Sequence, residues 1–144
     1  MDDRELLDLL TGVRAHPIRV GRITPYRARL IGAGTTIVML SHYTLAKQET
    51  KHKDETLNLY RIGAAALSSD DARVHPPRKM NFRFCALDGK EYRATIKANA
   101  AGTEIYLVSV HELKKNQWQA TCSRTYSERE WDHRQYMIGM YGEE

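Results

Sequence analysis

Two stretches with a period of two, Met80–Ala86 (MNFRFCA) and Tyr92–Lys97 (YRATIK), flank the pair Asp88-Gly89. Strict alternation commits a segment to a strand with one wet and one dry face, and Asp-Gly is a strong hairpin signal. The two runs therefore predict an antiparallel hairpin. Phe82, Phe84, Tyr92, Ala94 and Ile96 point inward, while Arg83, Arg93, Thr95 and Lys97 point outward. A second turn over Asn99 to Gly102 leads into a third strand, Thr103 to Val110. The turn at Lys114-Lys115-Asn116 leads into a fourth, Gln117 to Cys122. A meander of three or four strands after a helical half is an α+β arrangement.

The helical half opens with Asp2 to Leu10, where Leu6, Leu7 and Leu10 form an apolar stripe that stops near Gly12. Ile18 to Ile23 alternates as a half-exposed strand. Thr24-Pro25 then reads as an N-cap followed by proline at the first helical position, with Gly32 and Gly34 closing that short helix. Thr36 to Leu40 has the unbroken aliphatic character of a buried strand, and Ser41 is a good N-cap for a helix running to Lys51. A further helix spans about Asp54 to Leu67 and stops at Ser68-Ser69-Asp70-Asp71. The basic, proline-bearing segment Arg73 to Lys79 reads as a loop. In the tail, Ser127 and Glu130 have capping-box spacing ahead of a helix to Tyr141. The expected organisation is an N-terminal helix and lead-in over 1–17, a central domain over 18–123, and a helical tail over 124–144.

At 144 residues and 42% hydrophobic content, the chain is long enough for one well-buried domain. With 22 basic and 18 acidic side chains it carries a formal charge of +4, a mild bias toward a polyanionic partner. The two cysteines, Cys85 and Cys122, form no close pair, so neither a disulfide framework nor a thiolate zinc site is expected. None of the six histidines has metal-ligand spacing, and no cofactor fingerprint occurs. The opening MDDRELLDLL lacks the pattern of a secretory signal, and no apolar run reaches the roughly 18 residues of a membrane span. A cytoplasmic protein with no membrane partner is expected.

Two groups of side chains are candidates for chemistry. Lys47, Lys51, His52 and Lys53 cluster on the helix after Ser41, with Lys47 and Lys51 four apart on one face. Such a cluster either solvates a helix end or grips a phosphate, beside which His52 can act as acid or base. On the sheet, Arg83, Arg93 and Lys97 share a face that meets either solvent or an anion. Ser109 is in phase with the inward Ile105 and Leu107, which makes it a core hydroxyl unless a bulge turns it outward.

From Val20 to His111 the segments VGRI…ARLIG, VMLSxxTLxKxxxKH, the Tyr60 helix, YRATIK and IYLVS together resemble the phage-associated nuclease families of the barnase–EndoU–colicin E5/D–RelE superfamily. The resemblance implies a barnase/RelE-like fold, with helices packed on a three- to four-stranded antiparallel sheet. It also implies a toxin-like, metal-independent endoribonuclease in which the substrate's 2′-hydroxyl is the nucleophile. It implicates Lys51, His52, Lys97 and Ser109 in catalysis and Lys47 in substrate binding, with Arg83 and Arg93 of the outward sheet face and Tyr60 as further candidate substrate contacts. RNA, with tRNA among the candidate targets, is the implied partner. A neutralising immunity or antitoxin protein is a further one, and the end helices leave self-association open. The alternative is a phage-derived module that binds nucleic acid or protein without catalysis.

Overall fold

The computed structural model describes residues 2–12, 16–42, 44 and 53–114. In chain order the elements are α1 (Asp3–Leu10), β1 (Ile18–Arg22), α2 (Pro25–Leu30), β2 (Ile37–Leu40), α3 (Lys53–Ala66), β3 (Ala72–His75), β4 (Lys79–Cys85), β5 (Glu91–Ala98) and β6 (Ile105–Glu112). The strands form one six-stranded sheet in the order β1-β2-β6-β5-β4-β3. All neighbours run antiparallel except β2 and β6, which are parallel.

The fold is α+β, but the sheet is larger than the expected three or four strands, and it is mixed. It does not have the barnase-like arrangement. Two causes account for the difference. β1 and β2 join the meander through a parallel contact, Val38 against Ile105 and Met39 against Tyr106, rather than standing apart from it. The segment expected to be a loop holds a strand as well: Ala72–His75 pairs with β4, and the prolines fall in the turn beyond it, where Pro76–Pro77 is cis. Proline removes a ladder donor only where it sits, so Arg73 and Val74 remain competent strand residues. The expected fourth meander strand and the tail helix lie outside the described residues.

Each local element has a legible cause. Asp2 caps α1 in a full capping box, its carboxylate accepting from the Glu5 N–H at 2.7 Å. The buried stripe of α1 is Leu6 and Leu9, while Leu7 is exposed, so the expected Leu6–Leu7–Leu10 face is rotated. Thr24 caps α2, with Pro25 in its first turn. At the β4–β5 hairpin Gly89 takes a positive φ of 80°, and Asp88 accepts from the Lys90 N–H and the Tyr92 hydroxyl at 2.8 and 2.7 Å. Glycine reaches that backbone region without steric penalty.

The core lies between the helices and one face of the sheet. Leu57, Tyr60 and Leu67 meet Leu107, Val110, Ile96, Phe82 and Val38 in a single cluster, with Leu6 and Leu9 of α1 joining it. Helix α3 approaches closely at Gly63, where an added Cβ would stand 2.6 Å from Val110 Cγ2. Among the described residues, no helix is long and apolar enough to cross a membrane.

Candidate nucleic-acid interface

Strand pairing sorts the outer-face side chains into rows, because directly opposed residues point to the same side. One row runs across the sheet as Arg19, Met39, Tyr106, Lys97, Lys79 and His75. The next is Ser109, Thr95, Asn81 and Arg73. The third is His111, Arg93 and Arg83. The middle row is neutral apart from Arg73, and its buried Thr95 hydroxyl donates to Asn81 Oδ1 at 2.6 Å. Cationic rows therefore flank a polar one.

Ser109 belongs to this face because β6 carries one extra residue. Thr95 pairs with Ser109 but Ile96 pairs with Leu107, so Val108 is left over as a bulge. The bulge resets the parity: Ile105, Leu107 and Val110 are all buried, and Ser109 turns outward beside Thr95.

The cations of this face divide by their partners. Arg83 donates from Nε and Nη2 to Glu91 Oε1 at 3.1 and 2.6 Å, and its Nη1 lies 3.9 Å from Asp71. Arg73 also faces Asp71, at 3.8 Å. That end of the face is close to neutral. Lys79, Lys97 and Arg93, by contrast, make no ion pair with any described carboxylate. Lys79 is directly opposite Lys97, and Arg93 is directly between Arg83 and His111. Arg93 Nε is buried without a hydrogen-bond partner. Like charges directly opposed across strands are destabilising, and a buried donor with no acceptor costs about 1–3 kcal/mol. A bound phosphate would relieve the like-charge opposition.

His111, across from Arg93, has its pKa lowered below the ordinary histidine value, first by burial and then by the Arg93 charge. Its imidazole is neutral near pH 7 and able to accept a proton. At the other end of the face a cleft of about 310 Å³ is lined by Ser41, Thr44, Lys97, Ala98, Asn99, Tyr106 and Val108. The Ser41 Oγ accepts from the Thr44 N–H at 3.2 Å; most of the helix expected to run from Ser41 to Lys51 lies outside the described residues. His42 is tied down, with Nδ1 2.7 Å from the Leu9 carbonyl.

Of the residues singled out from the sequence, Arg83, Arg93, Lys97 and Ser109 share this one face. Tyr60 does not: it is fully buried in the core on the other side of the sheet, where burial raises its pKa. Lys47, Lys51 and His52 lie outside the described residues. Lys79, His111, Tyr106 and Arg19 lie on the same face. Lys79 had a signal, since it stands four residues before Arg83 and shares its parity. Among the described residues, no cluster of three or more His, Cys, Asp or Glu could hold a metal ion. In comparisons with known proteins, no family profile, no curated protein and no solved structure matches the chain.

Proposed function

We propose that this chain binds RNA along its outer sheet face, gripping the phosphodiester backbone with Arg93, Lys97 and Lys79. One observation carries the reading: Lys79 and Lys97 face one another across β4 and β5, and neither they nor Arg93 has a described carboxylate to neutralise it. A polyanion supplies the missing charge. Binding should fall steeply with salt, because each phosphate contact releases counterions. In titrations of a single-stranded RNA at several salt concentrations, Arg93→Ala and Lys97→Ala should each flatten the log–log salt slope by about 0.7. Arg83→Ala should leave the slope nearly unchanged, since Glu91 and Asp71 already engage that side chain. Salt-independent binding, or equal effects of all three changes, would overturn the reading.

A second reading, cleavage of the bound RNA, has its own support. His111, with its lowered pKa, stands opposite Arg93 and on the face of Ser109. A neutral imidazole can take the proton of a 2′-hydroxyl while the guanidinium stabilises charge building on phosphorus. The resemblance to the phage-associated nucleases points to the same metal-independent transesterification, with His52 as its acid or base, although the six-stranded sheet departs from their arrangement. Total RNA or tRNA incubated with the protein in EDTA should yield fragments ending in cyclic phosphate. Loss of these with His111→Ala would place the chemistry on the sheet, and loss with His52→Ala would place it on the lysine-rich segment after Ser41. Intact RNA leaves the binding reading alone standing.

A further inference from the structure

The cleft at the Lys97 end of the face differs from the rest of it. Toward β4 and β3 the rows offer only charge, an imidazole and small polar groups, whereas here an aromatic ring, Tyr106, and the aliphatic Val108 lie beside Lys97. The Tyr106 hydroxyl donates to the Glu104 carboxylate, which leaves the body of the side chain to line the cleft. Ser41 and Thr44 form the polar side, their hydroxyls 3.1 Å apart. At about 310 Å³ the cleft is at the small end of ligand sites, which run from about 300 to 1,000 Å³. It has room for one planar ring system.

We propose that the RNA is single-stranded and that one unstacked base enters this cleft against Tyr106, with its flanking phosphate on Lys97. The proposal rests on the RNA-binding reading and adds the strandedness of the ligand and the site of one base. Charge complementarity fixes the occupant: an apolar ligand would leave Lys97 unmatched, and a duplex would keep its bases stacked out of reach. Base stacking on aromatic side chains tolerates any sequence, because every base has a π-face. The ladder places Lys79 directly beyond Lys97, so the backbone leaving the cleft meets a second cation at once.

The test uses a fluorescently labelled 2′-O-methyl oligonucleotide, which has no 2′-hydroxyl to react, and the same sequence annealed to its complement. The wild-type chain should bind the single strand more tightly than the duplex. Tyr106→Leu keeps bulk but removes the ring, and should weaken single-strand binding about 5- to 100-fold. Its duplex binding should be unchanged, and Tyr106→Phe should retain most of the affinity. Thermal melts of both variants check that the sheet is intact. Equal affinity for the two forms, with Tyr106→Leu binding like wild type in a protein that Lys97→Ala still weakens, would overturn the base site while leaving phosphate binding in place. No binding of either form at low salt would overturn both.

Discussion

His111 stands opposite Arg93 on the adjacent strand, and its burial together with that charge makes the stability of the fold depend on pH. The folded pKa of His111 lies below its ordinary value of 6.5, because burial and the Arg93 charge both disfavour the imidazolium. The sign follows from proton counting. As pH falls through 6.5 the unfolded chain takes up this proton first, so acid favours unfolding until the folded pKa is also passed. The contribution is present above the unfolded value and is lost as pH falls through the folded one. Melting temperatures measured from about pH 7.5 down to about pH 5 should therefore drop less for His111→Asn than for wild type. Arg93→Ala should remove part of the same difference, because the guanidinium is the smaller of the two causes. Identical pH profiles for wild type and His111→Asn would show that the imidazole is not perturbed by this neighbourhood. Bound phosphate works in the opposite direction, since an anion beside Arg93 favours the charged imidazole.

At the scale of elements, α3 packs closely on β6, and Gly63 permits it. An alanine there would gain about 1 kcal/mol of helix propensity. Its methyl group, however, would stand 2.6 Å from Val110 Cγ2 and 3.1 Å from Leu107 Cδ2. Valine in a strand has few rotamers to retreat into, and overpacking costs about 1–3 kcal/mol. Gly63→Ala should thus destabilise the protein by about 1 kcal/mol on chemical denaturation. RNA affinity should not change, because the contact is on the inner face; a gain in stability would mean that helix and sheet can part cheaply. The same strand shows what sequence could and could not reveal. The period of two in Tyr92–Lys97 disclosed Arg93 and Lys97 as outward, since that segment is regular. In β6 the parity of Ser109 turned on a single bulged residue, Val108, and a bulge leaves no mark in an aliphatic run. Strand β3 was hidden by the neighbouring prolines. The pairing of β2 with β6 was invisible, because parallel contacts join residues far apart in the chain without a turn between them.

That parallel contact governs the whole molecule. It makes one sheet from the β1–β2 pair and the β3–β6 meander, yet its ladder involves only Val38–Ile105 and Met39–Tyr106. A second tie supports it at the end of the sheet. The Gly34 N–H donates to the Gly102 carbonyl at 2.7 Å, joining the loop after α2 to the β5–β6 turn. Gly102 has a φ of 72°, and an added Cβ would fall 2.4 Å from the Gly32 carbonyl oxygen. Backbone cannot move aside as a side-chain tip can, and the left-handed conformation itself costs a non-glycine residue about 1–2 kcal/mol. Gly102→Ala should therefore destabilise by at least about 2 kcal/mol. The damage should be spread unevenly. Hydrogen exchange should quicken first in β1 and β2, which depend on this seam, while β4 and β5 stay protected in the middle of the meander. The base cleft would suffer with the seam, because Ser41 and Thr44 reach it from the β2 side and Lys97 and Tyr106 from the meander. Uniform loss of protection across all six strands would instead identify the sheet as one cooperative unit, in which the narrow contact is as strong as the hairpins around it.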